Sequence, residues 1–424
     1  MKKPGKKAPR SRIGIILVAA TLLAAACATV QSGYYRFNED IGDPVFLDLM
    51  SEISDFSMVG GNRVELLKNG DESFSAMLEA IGNATESINL ETYIFWGDSA
   101  GEVFVQAMAE KARQGVQVRV LWDDVGGRRL DHLIPVLEES GVQWAAFKPW
   151  DWWHLLDSNL RTHRKILVVD GRIGFTGGIG IGDKWEGDAD SPDHWRDTQV
   201  KVEGPVVRQL QWLFAENWER TIGEDIEQDP MHFPPLSPAG EMLCGVVGGV
   251  RDERNWSNIR EMWLLPLAAS REYFYLSIAY FIPDADTMKA LREASGRGVD
   301  IRFIVPGPEN DVFPVRMVSQ KYYGKLLDAG IRIYEYQETN MHSKTGVCDD
   351  MWSTVGSANY ENRAFSYNYE SNLMIYDRDF AFRMKQMFRE DLAQSEEIDA
   401  EKWKNRPIYY KFLEQIFGVI EGWI

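Results

Sequence analysis

The pattern H-x-K-x-x-x-x-D occurs twice in this chain, at His163, Lys165 and Asp170 and again at His342, Lys344 and Asp349. With Lys and Asp each near roughly 6% of residues, chance places one such pattern in about one sequence in fifty, and two in a few per ten thousand. A lone copy could be a core histidine between exposed edge residues; two copies demand a common cause. The repetition runs beyond the motif. "ESINLETYIF" at Glu86–Phe95 has a counterpart in "EYFYLSIAYFI" at Glu272–Ile282, and "KARQGVQVRVLWD" in "ASGRGVDIRFIVPG". "LEESGVQW" likewise matches "LLDAGIRIYEY", and "HRKILVVDGRIGFTGG" matches "HSKTGVCDDMWSTVGS". The chain is therefore expected to fold as two copies of one unit.

Each copy reads as strand, helix, strand, helix, short strand and then the histidine-bearing strand pair. Val- and Ile-rich runs alternate with helical apolar spacing around 103–114 and 286–295. This alternation predicts an α/β architecture in which helices cover mixed or parallel sheets. At 424 residues the chain also exceeds one ordinary core. The halves are placed at 40–225 and 226–424, with the acidic, Pro-rich stretch Glu224–Gly240 as their linker.

Residues 1–27 carry six basic residues and no acidic one, which leaves 40 basic against 64 acidic residues beyond them, a net charge of −24. So acidic a body opposes binding to nucleic-acid phosphates, and no nucleic-acid partner is expected. The basic stretch precedes an apolar run from Ile13 to Ala26 that ends in "LLAAAC". Two readings stand: a lipoprotein-type signal cleaved before a lipidated Cys27, or a retained N-terminal anchor. Both put the body on the exported face of a cell envelope. Cys244 and Cys348 have no metal-ligand spacing, and no metal or cofactor is expected.

On a strand, His163 and Lys165 point to one face, and Asp170 falls in the following turn. Two such strands can aim two histidines and two lysines into one cleft. Lysines supply fixed positive charge for phosphoryl oxygens, while one imidazole attacks and the other protonates the leaving group.

The paired motifs resemble the HKD motifs of the phospholipase D superfamily. "NLRTHRKILVVDGRIGFTGG", "HWRDTQVKVEGPVV", "AYFIPD", "RIYEY" and "VGSANYENRAFSYNYESN" are similar to its bacterial cardiolipin synthase-like branch. The resemblance runs from about Val64 to the C-terminus. It implies two homologous phospholipase D-like half-domains, each a mixed β-sheet flanked by helices, with one active site at their interface, so that a monomer suffices. It implies a membrane-associated phosphatidyltransferase that joins two phosphatidylglycerols into cardiolipin and glycerol through a covalent phosphohistidine. In this mapping His163 is the nucleophile and His342 the general acid and base, and Lys165 and Lys344 grip phosphate. Asp197 in "HWRDT" and Glu370 in "NYESN" orient the histidine of the other half. Ser357 and Asn359 contact phosphate, and Asp170 and Asp349 support the motif loops more than they react. The alternatives are a phospholipase D that releases phosphatidic acid, a phosphodiesterase acting on nucleic acid, and an inactive scaffold.

One position departs from the pattern: "GGIG" puts Gly180 where the family has Asn, so the two half-sites are expected to hold phosphate unequally. Two further segments suit a lipid interface as well as ordinary packing. They are the Trp-rich "KPWDWWHLLD" at Lys148–Asp157 and the C-terminal "YYKFLEQIFGVIEGWI", the latter read first as a packed terminal helix. "GDADSPD" at Gly187–Asp193 reads as a solvated turn, and His132, His154, His194 and His232 receive no role.

Overall fold

The computed structural model describes residues 39–54, 56–148, 160–249 and 257–423. The Ile13–Ala26 run, Cys27, and Trp150 to Asp157 of the Trp-rich segment, His154 included, lie outside them. Among the described residues no helix is long and apolar enough to cross a membrane.

The first half supplies β1 (Val59–Lys68), β2 (Ser87–Thr92), β3 (Gln117–Asp123), β4 (Gln143–Phe147), β5 (Lys165–Val169), β6 (Ile173–Gly177) and β7 (Thr198–Glu203). The second supplies β8 (Met242–Gly249), β9 (Tyr273–Ile278), β10 (Asp300–Pro306), β11 (Arg332–Tyr336), β12 (Lys344–Cys348), β13 (Trp352–Gly356) and β14 (Asn368–Tyr376). All join one sheet in the order β11-β10-β9-β12-β13-β14-β8-β1-β7-β6-β5-β2-β3-β4. The order reads the same from either edge once each strand is exchanged for its counterpart, so the duplication is visible as topology. In each half three outer strands run parallel, and the rest, the β1–β8 junction included, are antiparallel.

Helices follow the same symmetry. In the first half α1 (Asn69–Asn83), α2 (Ser99–Arg113) and α3 (Ile134–Ser140) link the strands, and α4 (Val207–Ile222) closes the unit. In the second they correspond to α5 (Asn258–Ala269), α6 (Ala285–Gly296), α7 (Phe313–Asp328) and α8 (Arg378–Ala393). The alternation of β5 explains the layering: Leu167 and Val169 pack with α1 and α2, while Ile166 and Val168 pack with α4 on the opposite face. That second face is one core shared by both halves, since Val200 and Leu210 lie in it with Val246, Ile375 and Phe388.

Two boundaries differ from the sequence reading. Residues 41–53, counted with the first half, pack on the second: Phe46, Met50 and Ile53 share a core with Ile259 and Trp263. The stretch Glu224–Gly240 is not a free linker. Ile226 and Phe233 pack against Trp218, and the buried His232 ring sits 2.9 Å from the Arg119 guanidinium, which Glu224 also binds at 2.8 Å.

Asp170 and Asp349, the motif members expected to support the loops more than to react, are turn residues at the far end of β5 and β12 from the histidines. Both backbones are left-handed, with φ of 53° and 46°. The Asp170 carboxylate accepts the backbone N–H groups of Thr85, Glu86 and Ser87 at 2.8–2.9 Å, and Asp349 accepts those of Arg271, Glu272 and Tyr273 at 2.6–3.0 Å. Partial burial works against ionisation of Asp170, but these donors outweigh it and hold the carboxyl below its ordinary range. Each aspartate thus fixes where the adjacent central strand begins. Asp170→Ala and Asp349→Ala are each expected to lower unfolding stability by about 1.5–3 kcal/mol, read as a shift of the urea midpoint.

Candidate active site

His163 lies just outside β5, between a two-residue strand at Arg161–Thr162 and Lys165. Arg161–Thr162 pairs with Asn368–Tyr369 at the start of β14, so the segment is sewn to the opposite half. The His163 N–H donates to the Tyr369 carbonyl at 2.8 Å, and its Nδ1 stands 2.9 Å from Glu370 Oε2. The second motif does the same in reverse. The His342 N–H donates to the Arg196 carbonyl at 2.7 Å, and its Nδ1 stands 2.7 Å from Asp197 Oδ2. Each histidine is therefore held, by main chain and by side chain, on the half that does not encode it.

Between the motif residues, Arg164 turns the other way. Its guanidinium donates to the Leu213 carbonyl at 2.7 Å and pairs with Glu216 at 3.0 Å, locking the segment onto α4. Arg196 performs the matching task through a two-pronged ion pair with Asp391 of α8 at 2.7 and 2.9 Å. Thr162, next to His163, is fixed by its N–H to Asp123 at 3.0 Å and by its hydroxyl to the buried Glu91.

Both lysines fold over their own motif. Lys165 Nζ donates to the His163 carbonyl at 2.9 Å, and Lys344 Nζ lies 3.0 Å from His342 Nε2. Both are buried. Desolvation, reinforced for Lys165 by the nearby Lys344, brings the ammonium pKa values down to about 7 for Lys165 and about 8 for Lys344. Burial and the two ammonium groups likewise push His163 well below the usual imidazole range. The acids differ from each other. Burial raises Glu370 to about 7, whereas at Asp197 the same burial is overcome by the charge and hydrogen bond of His342, by Lys344 and by the Trp185 indole, leaving about 2.

A family model for "Cardiolipin synthase, PLD-like domain" matches residues 77–218 and 266–392. Cardiolipin synthase 2 of Bacillus anthracis is 34% identical over 358 residues, which is 84% of this chain and 69% of that protein. The cardiolipin synthase of Geobacillus kaustophilus is 34% identical over 359 residues, 84% of this chain and 71% of that protein. The chain belongs to the cardiolipin synthase family. Its fold is similar to that of a phosphatidylserine synthase from Haemophilus influenzae, with a TM-score of 0.65 at 12% identity over 89% of this chain and 97% of that one. As a family member it is an enzyme of the phospholipase D superfamily.

The cardiolipin synthase motifs are gathered unevenly. His163, Lys165, His342, Lys344, Asp197 and Glu370 converge, while Asp170 and Asp349 stay in their turns. Ser357, expected on phosphate, spends its hydroxyl on Glu370 at 2.6 Å and accepts the Ser371 N–H at 2.9 Å. Asn359 is buried, and its Oδ1 has no hydrogen-bond partner among the described residues. In the first half the place of Ser357 falls to Gly178, where a Cβ would stand 2.1 Å from Asp197 Oδ1. No side chain fits there, and the missing donor comes from Trp185 Nε1, 2.9 Å from Asp197 Oδ2.

Trp185 also accounts for Gly180. A Cβ at Gly180 would lie 2.9 Å from Ile94 Cβ and 3.0 Å from the Trp185 ring. The indole fills the room an asparagine would take and meets His342 edge-on at 5.3 Å between ring centroids, with Trp195 at 5.5 Å. Sequence reading missed Trp185, Trp195 and Tyr93, whose ring stands 5.0 Å from His163. Trp195 lies within the quoted "HWRDT" and Tyr93 within "ESINLETYIF", but Trp185 carried no signal of its own. The acidic stretch at Gly187–Asp193 supplies surface partners, with Asp190 on His194 and Asp193 on Lys184. Restoring the family residue should therefore harm this chain. Gly180→Asn is expected to lose about 1–3 kcal/mol of stability by overpacking and to lower kcat by displacing the indole from Asp197, checked by urea unfolding and steady-state rates.

Proposed function

We propose that this cardiolipin synthase family member transfers a phosphatidyl group from one phosphatidylglycerol to another through a covalent phosphohistidine, at a membrane. The observation that carries the reading is the crossed pairing of two histidine–carboxylate couples around two buried lysines, which makes one site out of two motifs. His163, kept neutral by its surroundings, gives its Nδ1 proton in a hydrogen bond to Glu370 and presents Nε2 to phosphorus. The P–Nε2 bond forms as the P–O bond to glycerol breaks, and His342 Nε2–H protonates the departing alkoxide. Burial and Lys344 hold His342 below the ordinary imidazole range, and Asp197, ionised far below neutral pH, opposes them and supports the imidazolium that this step requires. Lys165 and Lys344 balance the charge on the phosphoryl oxygens, with Asn359 as the nearby amide. In the second step a glycerol hydroxyl of the incoming phosphatidylglycerol returns a proton to His342 and displaces Nε2 from phosphorus. Cardiolipin and free glycerol leave. The half-domains of this scheme are those bounded near residue 225 in sequence, with residues 41–53 assigned to the second.

Incubation with phosphatidylglycerol should yield cardiolipin plus glycerol. Phosphatidic acid plus glycerol would identify a phospholipase D instead, and no turnover of any phosphodiester would remove the enzymatic reading. His163→Ala should abolish the phosphoenzyme and lower kcat by about 10³-fold or more. The pH dependence follows from the lysines. Each is cationic below its pKa and neutral above it, so kcat/KM, which reports the free enzyme, should fall as pH rises through about 7 to about 8. A profile flat across that window would contradict the phosphate-gripping role of the two lysines.

A further inference from the structure

The C-terminal helix Ile408–Phe417 is inside out for a protein that faces water. It turns Glu414 inward, 4% exposed, onto Arg406 at 2.6 and 2.9 Å. Outward it shows Ile408, Phe412, Ile416 and Val419, which are 83%, 66%, 48% and 81% exposed. Spacings of four place the first three in one stripe of the helix, and Val419 follows in the 3-10 turn Gly418–Trp423. The opposite side is held to the body. Phe417 meets Phe313 edge-on at 5.9 Å, Glu421 binds Lys321 at 2.6 Å, and Asn362 donates to the Gly422 carbonyl at 3.3 Å. The expected packed terminal helix is thus packed by one side only. Val312 and Phe313, both exposed, lie where the helix meets the body.

Two observations select what covers this face. Residues 402–411 hold Lys402, Lys404, Arg406 and Lys411 with no acidic residue, within a chain of net charge −18. The three lysines are exposed alongside the stripe. A second copy docking by the same face would set these cations against themselves, whereas an anionic lipid surface pairs with them. The face also adjoins the reaction. Val312 and Phe313 directly follow Asp311, whose carboxylate accepts the Tyr280 hydroxyl and acts on Lys344, and Asn362 lies three residues beyond Asn359.

We infer that the stripe of Ile408, Phe412, Ile416 and Val419 docks on an anionic phospholipid bilayer and seats the mouth of the site at the headgroups. This rests on the phospholipid substrate proposed above. Amphipathic helices bind such surfaces by apolar burial plus attraction to anionic lipid.

The test labels the full-length chain at Phe412→Cys, in a Cys27→Ser background, with an environment-sensitive fluorophore. A label at Glu110→Cys on the exposed face of α2 serves as the control. Phosphatidylglycerol vesicles with brominated acyl chains should quench the label at 412 and spare the one at 110. A label at 412 left unquenched, or one shielded without lipid as the protein self-associates, overturns the inference. The variant Phe412→Glu/Ile416→Glu should lower turnover of vesicular phosphatidylglycerol by about tenfold or more while sparing a short-chain, monomeric phosphatidylglycerol. Equal loss on both substrates would mark the helix as structural, and loss on neither would remove its role. Failure of the parent chain to turn over either substrate would refute the proposed function, while the quenching still decides the docking.

Discussion

Two hydrogen-bond pairs that cross the boundary between the halves hold the rest of the site in place. His163 hangs from Tyr369 and Glu370, and His342 hangs from Arg196 and Asp197. Because each histidine bonds to the other half through both its backbone N–H and its imidazole, neither motif is complete where it is encoded. The continuous sheet makes this exchange possible. It sets β14 and β7 side by side with the incoming segments, and the ties of Arg164 to α4 and of Arg196 to α8 keep the crossing points from sliding. Halves that merely touched would leave four charged groups buried without fixed partners, which is costly.

Electrostatics then break the symmetry of the duplication. Two buried ammonium groups near one another disfavour each other's charge, so the empty site is short of stable positive charge until an anion enters. A phosphodiester would supply that anion and draw the lysines back toward full protonation. The two acids answer differently to the same burial. Asp197 is held ionised by a histidine, a lysine and an indole, while at Glu370 burial outweighs Lys165, Ser357 and Asn368 and carries the carboxyl to about 7. Two couples alike in topology thus carry acids in unlike states, while burial and the ammonium groups hold both imidazoles below their ordinary range.

Much of this was legible from residue spacing. The H-x-K pairs and the repeat announced that two histidines and two lysines would meet, because a duplicated motif carries its own internal control; the acids in "HWRDT" and "NYESN" were expected there through the family resemblance. Asp170 and Asp349 belonged to the pattern for a different reason: a left-handed turn with three N–H groups to satisfy needs a short acidic side chain as much as a catalyst does. Ser357 and Gly178 show the limit of spacing. Whether a position meets phosphate or a neighbouring carboxylate depends on fractions of an ångström. Trp185 was invisible because its place is set by what is missing at Gly178 and Gly180. The packing of residues 41–53 and of 224–240 depends on long-range burial that local composition does not encode.

The crossed bonds also change what counts as a half of this molecule. Gly178, Gly180, Trp185 and Asp197 come from the first repeat, yet the residue they shape is His342. Ser357, Asn368 and Glu370 come from the second and shape His163. The units that must remain matched are therefore diagonals across the duplication. A change near Trp185 is felt at His342 rather than at the histidine of its own repeat. Divergence between the repeats would then accumulate as a difference between the surroundings of the two histidines, as at "GGIG" and "GSAN".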